Sequence, residues 1–208
     1  MALLQGSLFS AGDRVAVRPV EEGRARRVLA YGAWVDHRPN WVVGADGLFG
    51  RLLHAVPWQA ERRPMYDRVV AVPRLQRFYG EGEALPQPAL GELRRALDAA
   101  YAADLGEPFR TVGMCLYRDG RDSVAWHGDT IGRGSFEDTL VAIVSLGAPR
   151  RLLLRPRGGG PALRFELGSG DLLVMGGSCQ RTWEHAVPKT ARTVGPRISV
   201  QFRPRGVR

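Results

Sequence analysis

Between residues 111 and 204 the chain is a succession of short apolar runs: TVGMCLY, SVAWHGD, TLVAIVSLG, RRLLLRP, ALRFEL, DLLVMGG, TWEHAVP and PRISVQFRP. Clusters of Gly, Pro, Asp or Arg separate them. Each run is too short for a stable helix and too sharply bounded to merge with the next, so the segment reads as β-strands. Strands at this pitch fold into an antiparallel sandwich or jelly roll. Upstream the pattern differs. GADGLFGRLLHAV predicts a helix, and RVAVRPV and RRVLAYGAWV are strand-like. LPQPALGELRRALDAAYAADLG predicts the best helix: prolines lead in, Leu90, Leu93, Leu97, Ala100 and Tyr101 recur at helical spacing, and Gly106 closes it. The fold class is therefore α+β, with helices early and a C-terminal β-core.

The 208 residues suit one structural unit, with segment 1–56 packed on a main domain spanning 57–208. No internal repeat or long linker interrupts them. A hydrophobic fraction of 44% excludes wholesale disorder. The net charge of +9 favours a polyanionic partner. Lys189 is the only lysine, however, so arginine supplies 29 of the 30 basic residues, a skew that coding bias also produces. Cys115 and Cys179 lie in no metal-binding or redox spacing, which suits a reducing compartment. MALLQGSLFSAGDR lacks the basic start and long apolar stretch of a leader, and no run reaches the length of a membrane span. The expectation is a soluble, cytoplasmic monomer without a membrane partner.

His127 and Asp129 stand two positions apart in SVAWHGD; on a strand they share a face, with Gly128 opposite. By itself H-x-D is as compatible with a surface histidine beside a carboxylate. His185, in TWEHAVP, offers a third ligand, whereas His37 and His54 have no comparable partner. Two histidines and one carboxylate suit a non-haem Fe(II) oxygenase, which keeps open positions for co-substrate and O2, and also suit a zinc hydrolase. The final run separates the two. Arg197, Ser199, Gln201 and Arg203 fall on one strand face and Ile198, Val200 and Phe202 on the other. Inward arginines are costly unless paired, and guanidinium binds carboxylates bidentately, so this face suits a dicarboxylate ligand. The alternative is an edge strand carrying solvated arginines.

Together these features resemble the AlkB-type Fe(II)/2-oxoglutarate dioxygenases. The likeness covers roughly 57–204 and includes VPRLQRFYGEG (72–82), LYRDGRDSVAWHGD (116–129), IVSLGAPR (143–150) and WEHAVPKTARTVGPRISVQFR (183–203). It implies a double-stranded β-helix, or jelly roll, with N-terminal helices packed on one side. It implies iron held by His127, Asp129 and His185, which are then the catalytic centre, with 2-oxoglutarate and O2 as co-substrates. Tyr117 and Arg197 would hold the distal carboxylate of 2-oxoglutarate, and Arg203 would sit near the metal. Cys115 and Ser199 stand where the family often has Asn; both still form weaker hydrogen bonds to the co-substrate.

The implied function is oxidative dealkylation of N-alkylated bases in DNA or RNA, with a lean to single strands, as in DNA repair, releasing formaldehyde, succinate and CO2. The family reads an extruded base. Tyr79, in the matching stretch with Phe78 and Arg74, is the first candidate for a pocket wall. Trp58 and Arg150 are further substrate contacts; Arg77 is a pocket-rim candidate and Trp126 a core residue. After H-x-D the family commonly carries acidic residues that meet the damaged base. Here Thr130, Ile131, Gly132 and Arg133 follow, which implies a different or narrower set of lesions. The alternatives are the same chemistry on a protein or small molecule, and a nucleic-acid-binding module with a vestigial site.

Overall fold

The computed structural model describes residues 14–65 and 68–207. The absence of a leader, read from the first residues, concerns a segment outside them. Among the described residues fourteen strands form: β1 (Ala16–Val17), β2 (Ala25–Val28), β3 (Ala33–Arg38), β4 (Val42–Val43), β5 (Gln59–Met65), β6 (Arg68–Tyr79), β7 (Thr111–Tyr117), β8 (Val124–His127), β9 (Val141–Gly147), β10 (Arg150–Pro156), β11 (Leu163–Leu167), β12 (Leu172–Gly177), β13 (Trp183–Val187) and β14 (Arg197–Arg203). The helices are α1 (Ala45–Ala55), α2 (Pro88–Ala100), α3 (Ala102–Leu105) and α4 (Cys179–Thr182).

An eight-stranded antiparallel sheet runs β2-β3-β12-β9-β14-β7-β6-β5, and a four-stranded one runs β11-β10-β13-β8. Alternation along the strands gives the large sheet two different faces. One presents Ala142, Val144, Leu146, Val174, Ile198, Val200 and Phe202, packed with Leu48 and Leu52 of α1 and Leu90, Leu93 and Leu97 of α2. The other presents Val35, Val141, Ile143, Leu173 and Met175, packed with Leu152, Leu154, Leu167 and Trp183 of the small sheet. The helices thus cover the outside of the large sheet, and the small sheet closes its inside, as a jelly roll requires. Towards one end this interior turns from apolar to polar, and the candidate site lies there.

Both predicted helices form where expected, and α2 with α3 ends at Gly106, whose φ of 71° is the left-handed conformation that closes a helix. The plan of early helices on a later β-core stands, and the early part adds strands to it: β3 (Ala33–Arg38) hydrogen-bonds β12 from Leu172↔Arg38 to Gly177↔Ala33. The basic, aromatic stretch before Gly80 is strand: β5 and β6 pair as a long hairpin, and β6 pairs β7 from Leu75↔Leu116 to Tyr79↔Val112. Its alternation is hidden because arginines occupy both faces. Among the described residues no helix is long and apolar enough to cross a membrane.

A candidate metal centre with an arginine fork

His127 is the last residue of β8 and lies directly opposite His185 of β13. That pairing brings the two ring centroids within 4.2 Å. Asp129 follows beyond the strand end rather than on it, so simple alternation does not aim its side chain. Two contacts do. Its backbone N–H donates to Gln180 Oε1 at 2.9 Å, and the intervening Gly128 lies so close to α4 that a Cβ there would stand 2.1 Å from the Gln180 carbonyl oxygen. Donor atoms of His127, Asp129 and His185 all fall within 4.8 Å of one another. His127 Nδ1 lies 2.8 Å from the Ala125 carbonyl, which can only accept; the proton therefore sits on Nδ1, leaving the Nε2 lone pair free for the site.

The protonation states suit metal binding. Burial pushes the Asp129 carboxyl up, but the Arg203 guanidinium, whose Nε donates to Oδ2 at 2.7 Å, outweighs it with help from the imidazoles and brings it to about 2. Burial, reinforced by neighbouring His127, takes His185 down to about 3. Near neutral pH the pair is a carboxylate and a neutral imidazole, the forms that ligate. Asp129 and His185 are buried while the His127 side chain is 38% exposed, so the cluster opens to solvent on the β8 side.

Beside it, β14 carries the polar strip expected from alternation, and both its faces are covered: every residue from Arg197 to Phe202 is buried. Arg197 is 1% exposed, lies opposite Tyr117 of β7, and donates from Nε to Ser145 Oγ at 2.9 Å. Both its terminal nitrogens are buried without a hydrogen-bond partner among the described residues. An arginine left with two open parallel donors in the interior is matched by a carboxylate. Burial pushes the Tyr117 phenol up to about 12, keeping it neutral and able to donate. Ser199 and Cys115 face each other in register, and Gln201 donates from Nε2 to Ser199 Oγ at 2.7 Å. The arrangement can hold a divalent cation between β8 and β13 and, along the neighbouring β14 strip, a dicarboxylate.

The candidate substrate contacts fare unevenly. Tyr79 lies on the helix-covered face of β6, is 4% exposed and belongs to the outer apolar cluster, so it is not a pocket wall. Alternation puts Arg74, Gln76 and Phe78 on the site face instead. Arg74 is held by the Ser123 carbonyl at 3.2 Å, and its charge reaches His185. Trp58 packs against the outer cluster and donates to the Leu53 carbonyl, which makes it a scaffold residue. Arg150 is likewise structural: buried, it donates to the carbonyls of Asp119, Asp122 and Pro188. Arg77 pairs with Glu83 and stacks on Tyr79, away from the site. Trp126 is half-buried beneath the Arg155 guanidinium, 4.0 Å from its ring centroid, not in the core. The roles of Ser145, Gln180 and Gly128 escaped sequence reasoning, since a serine in an apolar strand, a glutamine in a single helical turn and a glycine in a turn carry no signal of their own.

Residues 51–203 match the sequence profile of the 2OG-Fe(II) oxygenase superfamily. The chain is similar to human alpha-ketoglutarate-dependent dioxygenase alkB homolog 3, at 31% identity over 85% of this chain and 65% of that protein. It is also similar to the DNA oxidative demethylase ALKBH2 of Arabidopsis thaliana, at 33% identity over 53% of this chain and 42% of that one. The chain thus spans less than two thirds of these relatives' length. In fold it resembles OsALKBH1, with a TM-score of 0.59 and 15% identity over 86% of this chain and all of that one. A 2OG-Fe(II) oxygenase family oxidoreductase from Burkholderia pseudomallei gives a TM-score of 0.53 at 14% identity, over 77% of this chain and 78% of the other.

Proposed function

This chain belongs to the 2OG-Fe(II) oxygenase superfamily, and from that premise we propose that it is an Fe(II)- and 2-oxoglutarate-dependent dioxygenase that dealkylates N-alkylated bases in nucleic acid, in the service of DNA repair. The observation that carries the reading is a His/Asp/His cluster within 4.8 Å beside a buried arginine with two unpaired nitrogens. That donor set fits the superfamily's metal and co-substrate. His127, Asp129 and His185 would hold the iron. Arg197 and Tyr117 would receive the distal carboxylate of 2-oxoglutarate, with Cys115 and Ser199 as its further hydrogen-bond partners. When bound, the metal and co-substrate activate O2 for oxidation of the N-alkyl carbon. The protein's part is positional. Gln180 fixes the Asp129 backbone, Arg203 keeps its carboxylate ionised and oriented, and the Ala125 carbonyl fixes the His127 tautomer. The covered β14 strip keeps water from the co-substrate side, while the exposed edge of His127 leaves the base an entrance.

The nucleic-acid substrate is supported by the net charge of +9 and by the names of the alkB relatives. We place the alkylated base near His127 and the site-facing Arg74 and Phe78, on a single strand. The segment after Asp129 bears on which lesions enter. Ile131 and Phe136 are 67% and 68% exposed there, and Arg133 is turned aside to Glu107 and Glu137. It offers no carboxylate to a cationic lesion before Glu137, so the range of lesions is narrower than in typical relatives. Formaldehyde release from oligonucleotides carrying defined methylated and etheno bases, with and without 2-oxoglutarate, tests both statements. Release that depends on 2-oxoglutarate is expected from some lesions only. No release from any lesion would reject the function, and release from the full panel would reject the narrowed range.

A further inference from the structure

We propose that Ser145 is a positioning residue for co-substrate binding: it locks Arg197 by its Nε so that only the two terminal nitrogens face the ligand. The inference rests on the reading of Arg197 given above. Ser145 occupies the one site-face position of β9 that is polar, following Val141 and Ile143 in the alternation. It is fully buried and lies opposite Ser199 of β14. Its backbone is fastened on both sides, the N–H donating to the Asp171 carbonyl at 2.9 Å and the carbonyl accepting from the Gly170 N–H at 2.8 Å. Its hydroxyl donates to the Leu167 carbonyl at 3.4 Å, which turns an oxygen lone pair towards Arg197 Nε at 2.9 Å.

The chemistry follows from guanidinium geometry. Arginine presents five N–H donors in a plane and can grip a carboxylate through its two terminal nitrogens or side-on through Nε and one of them. Once Ser145 occupies Nε, only the end-on grip remains, and the plane of the fork is fixed before the ligand arrives. Such preorganisation lowers the ordering cost of binding. Without the hydroxyl, Nε becomes another buried unpaired donor and the guanidinium loses its fixed orientation. The effect is confined to ligands that possess a distal carboxylate, which a general loosening of the fold would not reproduce.

The test compares two 2-oxo acids by calorimetric titration of the full chain loaded with Mn(II). 2-Oxoglutarate carries the distal carboxylate; 2-oxopentanoate has the same metal-binding head and lacks it. Ser145→Ala is expected to weaken 2-oxoglutarate about tenfold, the worth of one hydrogen bond to a charged group, and to leave 2-oxopentanoate unchanged. Arg197→Ala weakens 2-oxoglutarate at least as much, and adding Ser145→Ala to it costs nothing further, because the two act as one unit. If Arg197→Ala weakens binding while Ser145→Ala does not, or if Ser145→Ala weakens both acids equally, the inference is wrong and the proposed function stands. If Arg197→Ala itself changes nothing, the reading of Arg197 fails and the inference with it. Should the alanine variant not fold, the near-isosteric Ser145→Cys, a weaker acceptor, is expected to show the same selective loss.

Discussion

At the scale of single residues, what matters is which polar atoms are left open and which are already spent. Asp129, a candidate ligand, also pairs with the Arg203 guanidinium at 2.7 Å, whereas His127 faces Asp129 only at 3.9 Å, so their removal has different consequences. His127→Ala is expected to abolish turnover with little change in melting temperature, since its side chain is 38% exposed. Asp129→Ala should also abolish turnover but destabilise the fold by about 3 kcal/mol, because it strands the Arg203 charge in a largely buried position. Thermal melting together with formaldehyde release separates the two. The cysteines differ in the same way. Burial pushes the Cys179 thiol up to about 12, whereas Cys115 is only half-buried, opposite Ser199 of the β14 strip. Iodoacetamide at about pH 8 is expected to label Cys115 and spare Cys179, mapped by mass spectrometry, and 2-oxoglutarate with Mn(II) to slow the labelling. Labelling of Cys115 at the same rate with ligand bound would place the co-substrate elsewhere. Neither contrast is legible in the sequence, where the cysteines look alike and His127 and Asp129 form one motif.

At the scale of elements, register decides which side chains meet. The candidate triad was legible because His127 and Asp129 stand two positions apart and the chain has few other histidines, and the β14 strip because alternation over seven residues is unambiguous. The base-reading stretch was not. β6 carries aromatic and basic residues on both faces, and only its pairing with β7 shows that Tyr79 points to the helices and Phe78 to the site. Tyr79→Ala is therefore expected to cost about 3 kcal/mol of stability, as core aromatic truncations do, and to leave the KM for an oligonucleotide unchanged well below the melting temperature. A raised KM without loss of stability would restore Tyr79 to the substrate pocket. The junction of β8 and α4 is a sharper case. In Gly128→Ala the new Cβ would meet the Gln180 carbonyl at 2.1 Å, so β8 and α4 must part. The variant is expected to lose about 1–3 kcal/mol of stability and, with Asp129 displaced, to bind Mn(II) more weakly in a direct titration.

For the whole molecule, the question is what holds the sheets and turns together around a polar interior. One tie is Asp171, whose carboxylate accepts the Asn40 N–H from the turn after β3 and the Gly168 N–H before β12, both at 2.8 Å, and faces His37. Burial raises its pKa, but the neighbouring His37 ring and the two backbone N–H donors prevail, so its carboxyl is held below the ordinary 3.8. A depressed carboxylate contributes stability that is complete above its unfolded pKa and drains away as pH falls through the folded one. Urea midpoints should therefore fall as the pH drops below about 4, and Asp171→Asn should be less stable at neutral pH with a shallower acid decline. An equal acid decline in both proteins would remove Asp171 from this role. The sequence by itself determined an antiparallel sandwich or jelly roll, the two main helices, the candidate triad and the arginine strip, because each depends on periodicity or on rare residue types that survive without knowledge of neighbours. Only the tertiary structure decided that segment 1–56 lends strands to the main sheet, that Tyr79, Trp58 and Arg150 serve the scaffold, and that Ser145, Gln180 and Gly128 aim the site. Those are properties of pairs from distant parts of the chain, such as Ser145 with Arg197 and Gly128 with Gln180, and such contacts exist only once the strands have taken their register.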